Sequence, residues 1–275
     1  MHLNFLYIPV SWVLLRWHQL LSGIGLDPDS GLVWALSIVL LVVTARLLLF
    51  PAFVKQVHAQ RQLQKLQPRI KELRKTHRDD RAELNRQLRK LQDEGYNPLA
   101  GCLPMLVQIP VFLGLYHVLR HLSNSAALCN GRATSRLLEL YTFSGGPTGE
   151  TCSAAKANLF GAPLAASFRD GADRIHALGG DLASTRWVIL ALLLASAAAT
   201  FATQLLVRAN ATATSQESVA TVGRIVLYVV PLVVMASGLL FGFPLGVLLY
   251  WFTSNLWTLA QHAYIIRFHP PRSHR

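Results

Sequence analysis

Residues 32–53, LVWALSIVLLVVTARLLLFPAF, form a run of 22 apolar or small side chains interrupted by a single charge, Arg46. A helix needs about 20 such residues to cross the hydrocarbon core of a bilayer. The guanidinium stays protonated at any accessible pH. Placing it at mid-membrane costs about 2.5–3.5 kcal/mol on insertion scales. Arg46 lies seven residues from the end of the run, roughly 10 Å from the interface at 1.5 Å per residue. Its long stem can therefore lift the charge toward the headgroups. The same residue can instead line a water-containing site, and this segment alone leaves both readings open.

The rest of the chain fits a polytopic membrane protein. Of 275 residues, 52% are hydrophobic and 15% charged, with further apolar runs near the length of a membrane span. The net charge of +12 is concentrated rather than spread. No RNA-binding motif or basic–aromatic interleaving accompanies it, so direct nucleic-acid recognition is not expected. Residues 1–22 lack the basic start and cleavage site of a signal peptide, and an additional span is the competing reading for this part of the segment 1–31. Trp12, Trp17 and Tyr7 beside polar residues suit an interfacial helix outside the membrane, followed by a turn.

Residues 54–97 change character. Positions 55–97 hold twelve Lys/Arg and six Asp/Glu, and basic loops of this length stay cytoplasmic. Leu63, Leu66, Ile70 and Leu73, then Leu84, Leu88 and Leu91, recur at helical spacing, and Asp80 with Glu83 resembles a capping box. The block reads as a basic helical hairpin, with a plain solvated loop as the competing reading. Residues 98–122 form a second crossing containing Pro104, Gln108 and Pro110. Residues 123–185 are polar and charge-balanced, and suit an extracytoplasmic region. Cys129 and Cys152 fall there, candidates for a disulfide in an oxidising compartment. Crossings at 186–207, 223–241 and 245–266, a loop at 208–222 and a basic tail at 267–275 complete an all-α chain. Five crossings, N-out and C-in, are expected.

No Asp or Glu occurs in any of the five segments, which argues against ion-coupled transport by carboxylates. Arg46 is left among Gln108, Gln204, Asn255, Thr44 and Tyr116, a set that suits a wet recess better than a dry core. Gln108, Gln204 and Asn255 can equally serve as hydrogen bonds between helices. Neither metal-ligand spacing nor a nucleophile–base constellation appears, so catalysis, a metal and a cofactor are not expected.

The run LQPRIKELRKTHRDDRAELNRQLRKLQDEGYNPLAGCLPMLVQIPVFLGLY resembles the signature region of the YidC-type membrane protein insertases, in the short form without a large extracytoplasmic domain. TARLLLFP before it and FPLGVLLYWFTSNLWTLAQ after it extend the likeness to 32–122 and 186–266. The resemblance implies a five-helix core around a hydrophilic groove that is open to the cytoplasm and lipid but closed to the outside. Arg46 matches the groove arginine, which attracts acidic or polar tails of nascent membrane proteins. Gln108, Gln204, Trp251 and Asn255 are expected to line the groove. The hairpin, with Lys65, Pro68, Lys71, Arg74 and Lys75, is expected to receive clients or contact a ribosome or Sec translocon. A bacterial plasma membrane is the implied location. A small-anion transporter using Arg46, or a scaffold in which Arg46 merely snorkels, are the competing functions. The outer segment 123–185 has no role assigned by the likeness.

Overall fold

A computed structural model describes residues 4–51, 66, 69–70, 72–77, 80–93, 103–125, 150–209, 228–233 and 235–268. Its elements are α1 (Asn4–Gly23), α2 (Gly31–Leu48), α3 (Arg81–Asp93), α4 (Leu103–Ser125), α5 (Glu150–Lys156), β1 (Asn158–Leu159), β2 (Ala162–Pro163), α6 (Ala172–Ala177), α7 (Leu182–Ala209), α8 (Tyr228–Leu240) and α9 (Leu245–Phe268). Gly31–Leu48 and Leu182–Val207 are long and apolar enough to cross a membrane, and Tyr228–Leu240 is a shorter apolar helix.

The helix expected over 32–53 ends at Leu48, with Leu49 as its C-cap. The interruption is local, because Phe50 and Pro51 are again helical; Pro51 has no N–H to offer the carbonyl of Leu47 across it. Arg46 therefore sits in the last turn of α2, where a cation complements the exposed carbonyls. At the other end the Ser30 side chain accepts from the Leu32 N–H, meeting one unsatisfied donor. Val33, Trp34, Ile38, Leu41 and Val42 face the core.

Against this face pack α1 and α9, and α4 packs against both of them. α1 buries Val10, Leu14 and Leu15 and leaves Ile8, Trp12 and Leu20 exposed. His18, one of the residues that break its apolar run, is buried by stacking on Trp34 at 3.8 Å, with Nε2 2.9 Å from the Pro28 carbonyl. In α4, Pro104 falls in the first turn, where a missing N–H costs nothing; only Pro110 interrupts the helix interior. α7 packs along α9.

Within the basic block 54–97, Asp80 accepts from the N–H groups of Ala82 and Glu83 at 3.0 Å. That is half of the expected capping box. The Glu83 carboxylate instead takes Gln87 at 2.7 Å. Ile70 and Leu91 are buried, as their spacing predicts, while Arg74 and Lys75 are exposed. Lys65, Pro68 and Lys71 lie outside the described residues.

The described part of the outer segment is a packed unit, not a polar linker. Its alanines look unremarkable in sequence, but Ala154, Ala155, Ala157, Ala162, Ala165 and Ala166 are all buried, and small side chains let backbones approach closely. Asn158 pairs with Pro163 and Leu159 with Ala162 in a short antiparallel hairpin. These strands are the only ones among the described residues of an otherwise helical chain.

This unit fastens the helix ends beside it. The first N–H groups of α9 have no partner inside their helix; Leu245 donates to the Ala166 carbonyl and Gly246 to that of Leu164, both at 2.8 Å. Arg169 donates to the Leu240 carbonyl at the end of α8 at 2.8 Å. Asp181 accepts from the Ser184 N–H at 2.8 Å and so caps α7. Trp34 of α2 donates to Ser153 of α5 at 3.0 Å, which donates to the Pro28 carbonyl. Gly31 lies so close to Asn158 that a Cβ would stand 1.9 Å from its carbonyl oxygen.

Candidate functional site around Arg46

Two contacts fix how α2 and α9 lie together. A Cβ on Gly246 would meet the Ile38 side chain at 3.1 Å. Eight residues further along each helix, Arg46 meets Ser254: Nη2 donates to Ser254 Oγ at 2.5 Å and reaches its carbonyl at 3.5 Å. The helices therefore run parallel in matched register. Ser254 lies nine residues past Leu245, about 14 Å along α9 at 1.5 Å per residue, with about 21 Å of helix still to come. Arg46 is thus at the end of its own helix but alongside the middle of its neighbour.

Tyr250, Ser254, Trp257 and Gln261 follow one another at intervals of four, three and four residues, which places them on one face of α9. Asn255 flanks that stripe. Five shielded polar atoms here have no hydrogen-bond partner among the described residues: Arg46 Nε, Tyr250 OH, Asn255 Nδ2, Trp257 Nε1 and Gln261 Oε1. The Tyr250 hydroxyl is near enough to the guanidinium to interact with its charge. No carboxylate pairs with Arg46 among the described residues. Nor do three His, Cys, Asp or Glu side chains gather there to hold a metal ion.

The expected groove residues occupy different settings. Arg46 meets Ser254, and Asn255 is the next residue along α9, with Nδ2 shielded and without a partner among the described residues. Trp251 belongs to an aromatic cluster, 6.4 Å from Phe112 and 6.4 Å from Phe243, that joins α4 to α9. Tyr116 is in the same cluster, 5.8 Å from Phe243. Thr44 is engaged at both ends of its hydroxyl, accepting from Trp17 Nε1 at 2.9 Å and donating to the Leu40 carbonyl. It fastens α1 to α2. Gln108 and Gln204 are half-buried on α4 and α7. Cys152 is disulfide-bonded; Cys129, its expected partner, lies outside the described residues.

Sequence reasoning missed Ser254 and Tyr250. A serine inside an apolar helix commonly bonds its own backbone, so nothing marked Ser254 as the partner of an arginine 208 positions away. The four-three-four stripe of polar-tipped side chains was the available signal.

A family model described as "60Kd inner membrane protein" matches residues 26–272. A Streptomyces avermitilis protein named "Membrane protein insertase YidC" is 38% identical over 269 residues, 97% of this chain and 59% of the relative. The chain thus spans somewhat under two thirds of that protein's length. A Mycobacterium tuberculosis protein of the same name is 39% identical over 270 residues, covering 96% of the chain and 72% of the relative. One from Tropheryma whipplei is 32% identical over 283 residues, covering 98% and 86%.

Proposed function

This chain belongs to the 60Kd inner membrane protein family, and on that premise we propose that it is a membrane protein insertase and chaperone. It takes apolar segments of nascent membrane proteins from the cytoplasm into the bilayer, as a five-crossing, N-out and C-in protein of the bacterial plasma membrane. It works alone or beside a Sec-type translocon, with the basic hairpin receiving clients or the ribosome. The names of the relatives support the activity. The observation that carries the mechanism is the set of five shielded, unpartnered polar atoms around Arg46 and along α9.

In a dry core each such atom costs about 1–3 kcal/mol. Water, or a client's polar tail, entering beside them would remove that cost. With Nη2 held by Ser254, the shielded Nε N–H of Arg46 has no partner among the described residues and would be met by a carboxylate that enters beside it. Opposite charges at 4 Å attract by about 1 kcal/mol in water and about 4 kcal/mol at an effective dielectric of 20. That range holds an acidic tail transiently and lets it go, as a conveyor requires. Burial of the client's apolar segment in lipid supplies the driving force. Gln108 and Gln204 serve as further polar contacts, and Trp251, three residues before Ser254 on α9, lines the same path.

The test is insertion of a small client with an acidic N-terminal tail into vesicles containing the purified protein. Arg46→Ala should lower insertion by about tenfold, the equivalent of 1.4 kcal/mol, and Arg46→Lys should retain most of it. A client with a neutral tail should be nearly indifferent to either change. Undiminished insertion by Arg46→Ala would remove the arginine from the mechanism. Anion flux without insertion would make the chain a transporter.

A further inference from the structure

The β1–β2 hairpin turns through Phe160 and Gly161, with φ of 54° and 79°. A two-residue turn with both residues at positive φ favours Asn–Gly, because a branched or bulky side chain is strained in that conformation. Phe160 is the only non-glycine at positive φ among the described residues, and its ring is 79% exposed. The ring therefore contradicts the turn's backbone and, in water, its own hydrophobicity. No contact within the described chain compensates for either.

Its position shows what does. The turn is fixed to the start of α7: Gly161 O accepts from the Asp181 N–H at 3.0 Å, and a Cβ on Gly161 would stand 3.3 Å from Ser184 Cβ. Trp187, one turn further along α7 on the side of Ser184, is 72% exposed. It opens the stretch Leu182–Val207 that is long and apolar enough to cross the membrane. At the same end of the bundle Phe241 is 68% exposed, next to the Leu240 carbonyl held by Arg169. Exposed aromatic rings at the end of an apolar helix mark the level of the membrane interface.

We infer that the Phe160–Gly161 turn is an outer-leaflet anchor, with the Phe160 ring seated at the boundary of headgroups and acyl chains in continuity with Trp187. The occupant of this surface is lipid, because the turn continues the apolar flank of a membrane helix. It pins the small outer unit, and the helix ends fastened to it, to the bilayer surface. This assignment depends on α7 spanning the membrane and not on Arg46, so it stands or falls separately from the client-capture mechanism.

The test places an environment-sensitive fluorophore on Phe160→Cys in a Cys102→Ser background, reconstituted in phosphatidylethanolamine/phosphatidylglycerol vesicles. Blue-shifted emission, quenched several-fold more by headgroup-level nitroxide lipids than by aqueous iodide, is expected. Stronger quenching by iodide would overturn the anchor, as would a blue shift that appears only when a second protein is added. Should the labelled variant fail to fold, hydroxyl-radical footprinting of the unaltered chain in the same vesicles decides. Phe160 and Trp187 should both be several-fold protected relative to the unfolded chain, and oxidation of Phe160 at its unfolded rate would overturn the inference.

Discussion

Arg46 was visible in the sequence as the one charge in an apolar run, and its mate was not. The guanidinium reaches Ser254 on a helix more than two hundred residues later, a pairing that only the parallel register of α2 and α9 creates. Ser254 positions the arginine, since it takes Nη2 and leaves Nε without a partner among the described residues. Hydrogen bonds to charged groups contribute about 1.5–3 kcal/mol. Ser254→Ala should therefore cut insertion of acid-tailed clients several-fold, and Ser254→Thr, which keeps the hydroxyl, should restore it. A neutral-tailed client reads out any purely structural loss, because positioning of the charge affects only the acidic one. If both clients suffered equally from Ser254→Ala, the serine would be a packing residue only.

Elements were legible where composition was strong and blurred where it was mild. The apolar runs located α2, α4, α7 and α9 within a few residues, but nothing in the hydropathy marked the break at Leu49 that ends α2. The outer segment was opaque because alanine, glycine and serine give no periodic signal, while their smallness is what allows the backbone of β1 to touch α2. Gly31→Ala tests that contact. Its methyl group would collide with the Asn158 carbonyl, and overpacking of this kind costs about 1–3 kcal/mol. The unfolding midpoint in detergent should drop, and an unchanged midpoint would mean that α2 and the hairpin separate freely. Asp181 offers a pH-dependent counterpart. Its carboxylate is held below the ordinary range by the Ser184 backbone N–H, so the folded state favours the charged form. That stabilisation is fully present above the ordinary carboxylate pKa of about 4 and disappears as pH falls through the lowered value. Asp181→Asn should flatten the acid limb of the stability curve, whereas an unaltered limb would show that the cap does not titrate with folding.

At the scale of the whole molecule, the described residues divide the bundle into two unlike ends. One end is fastened, with Ala166, Leu164, Arg169, Asp181 and Asn158 satisfying or touching the termini of successive helices. Toward the other end lie Arg46 and a stripe of polar atoms without partners among the described residues. An arrangement fastened at one end and lined with polar atoms toward the other suits the delivery proposed above. The central claim is that Arg46 is reached by water and acts through its charge. The most direct measurement reconstitutes Arg46→Cys in a Cys102→Ser background and treats it with methanethiosulfonate reagents before the insertion assay. An aminoethyl reagent, which puts a positive charge back, should label residue 46 and restore insertion of an acid-tailed client, while a neutral methyl reagent should label it without restoring activity. A thiol at position 46 that stays unreactive in the folded protein, or equal activity after either reagent, would contradict the account.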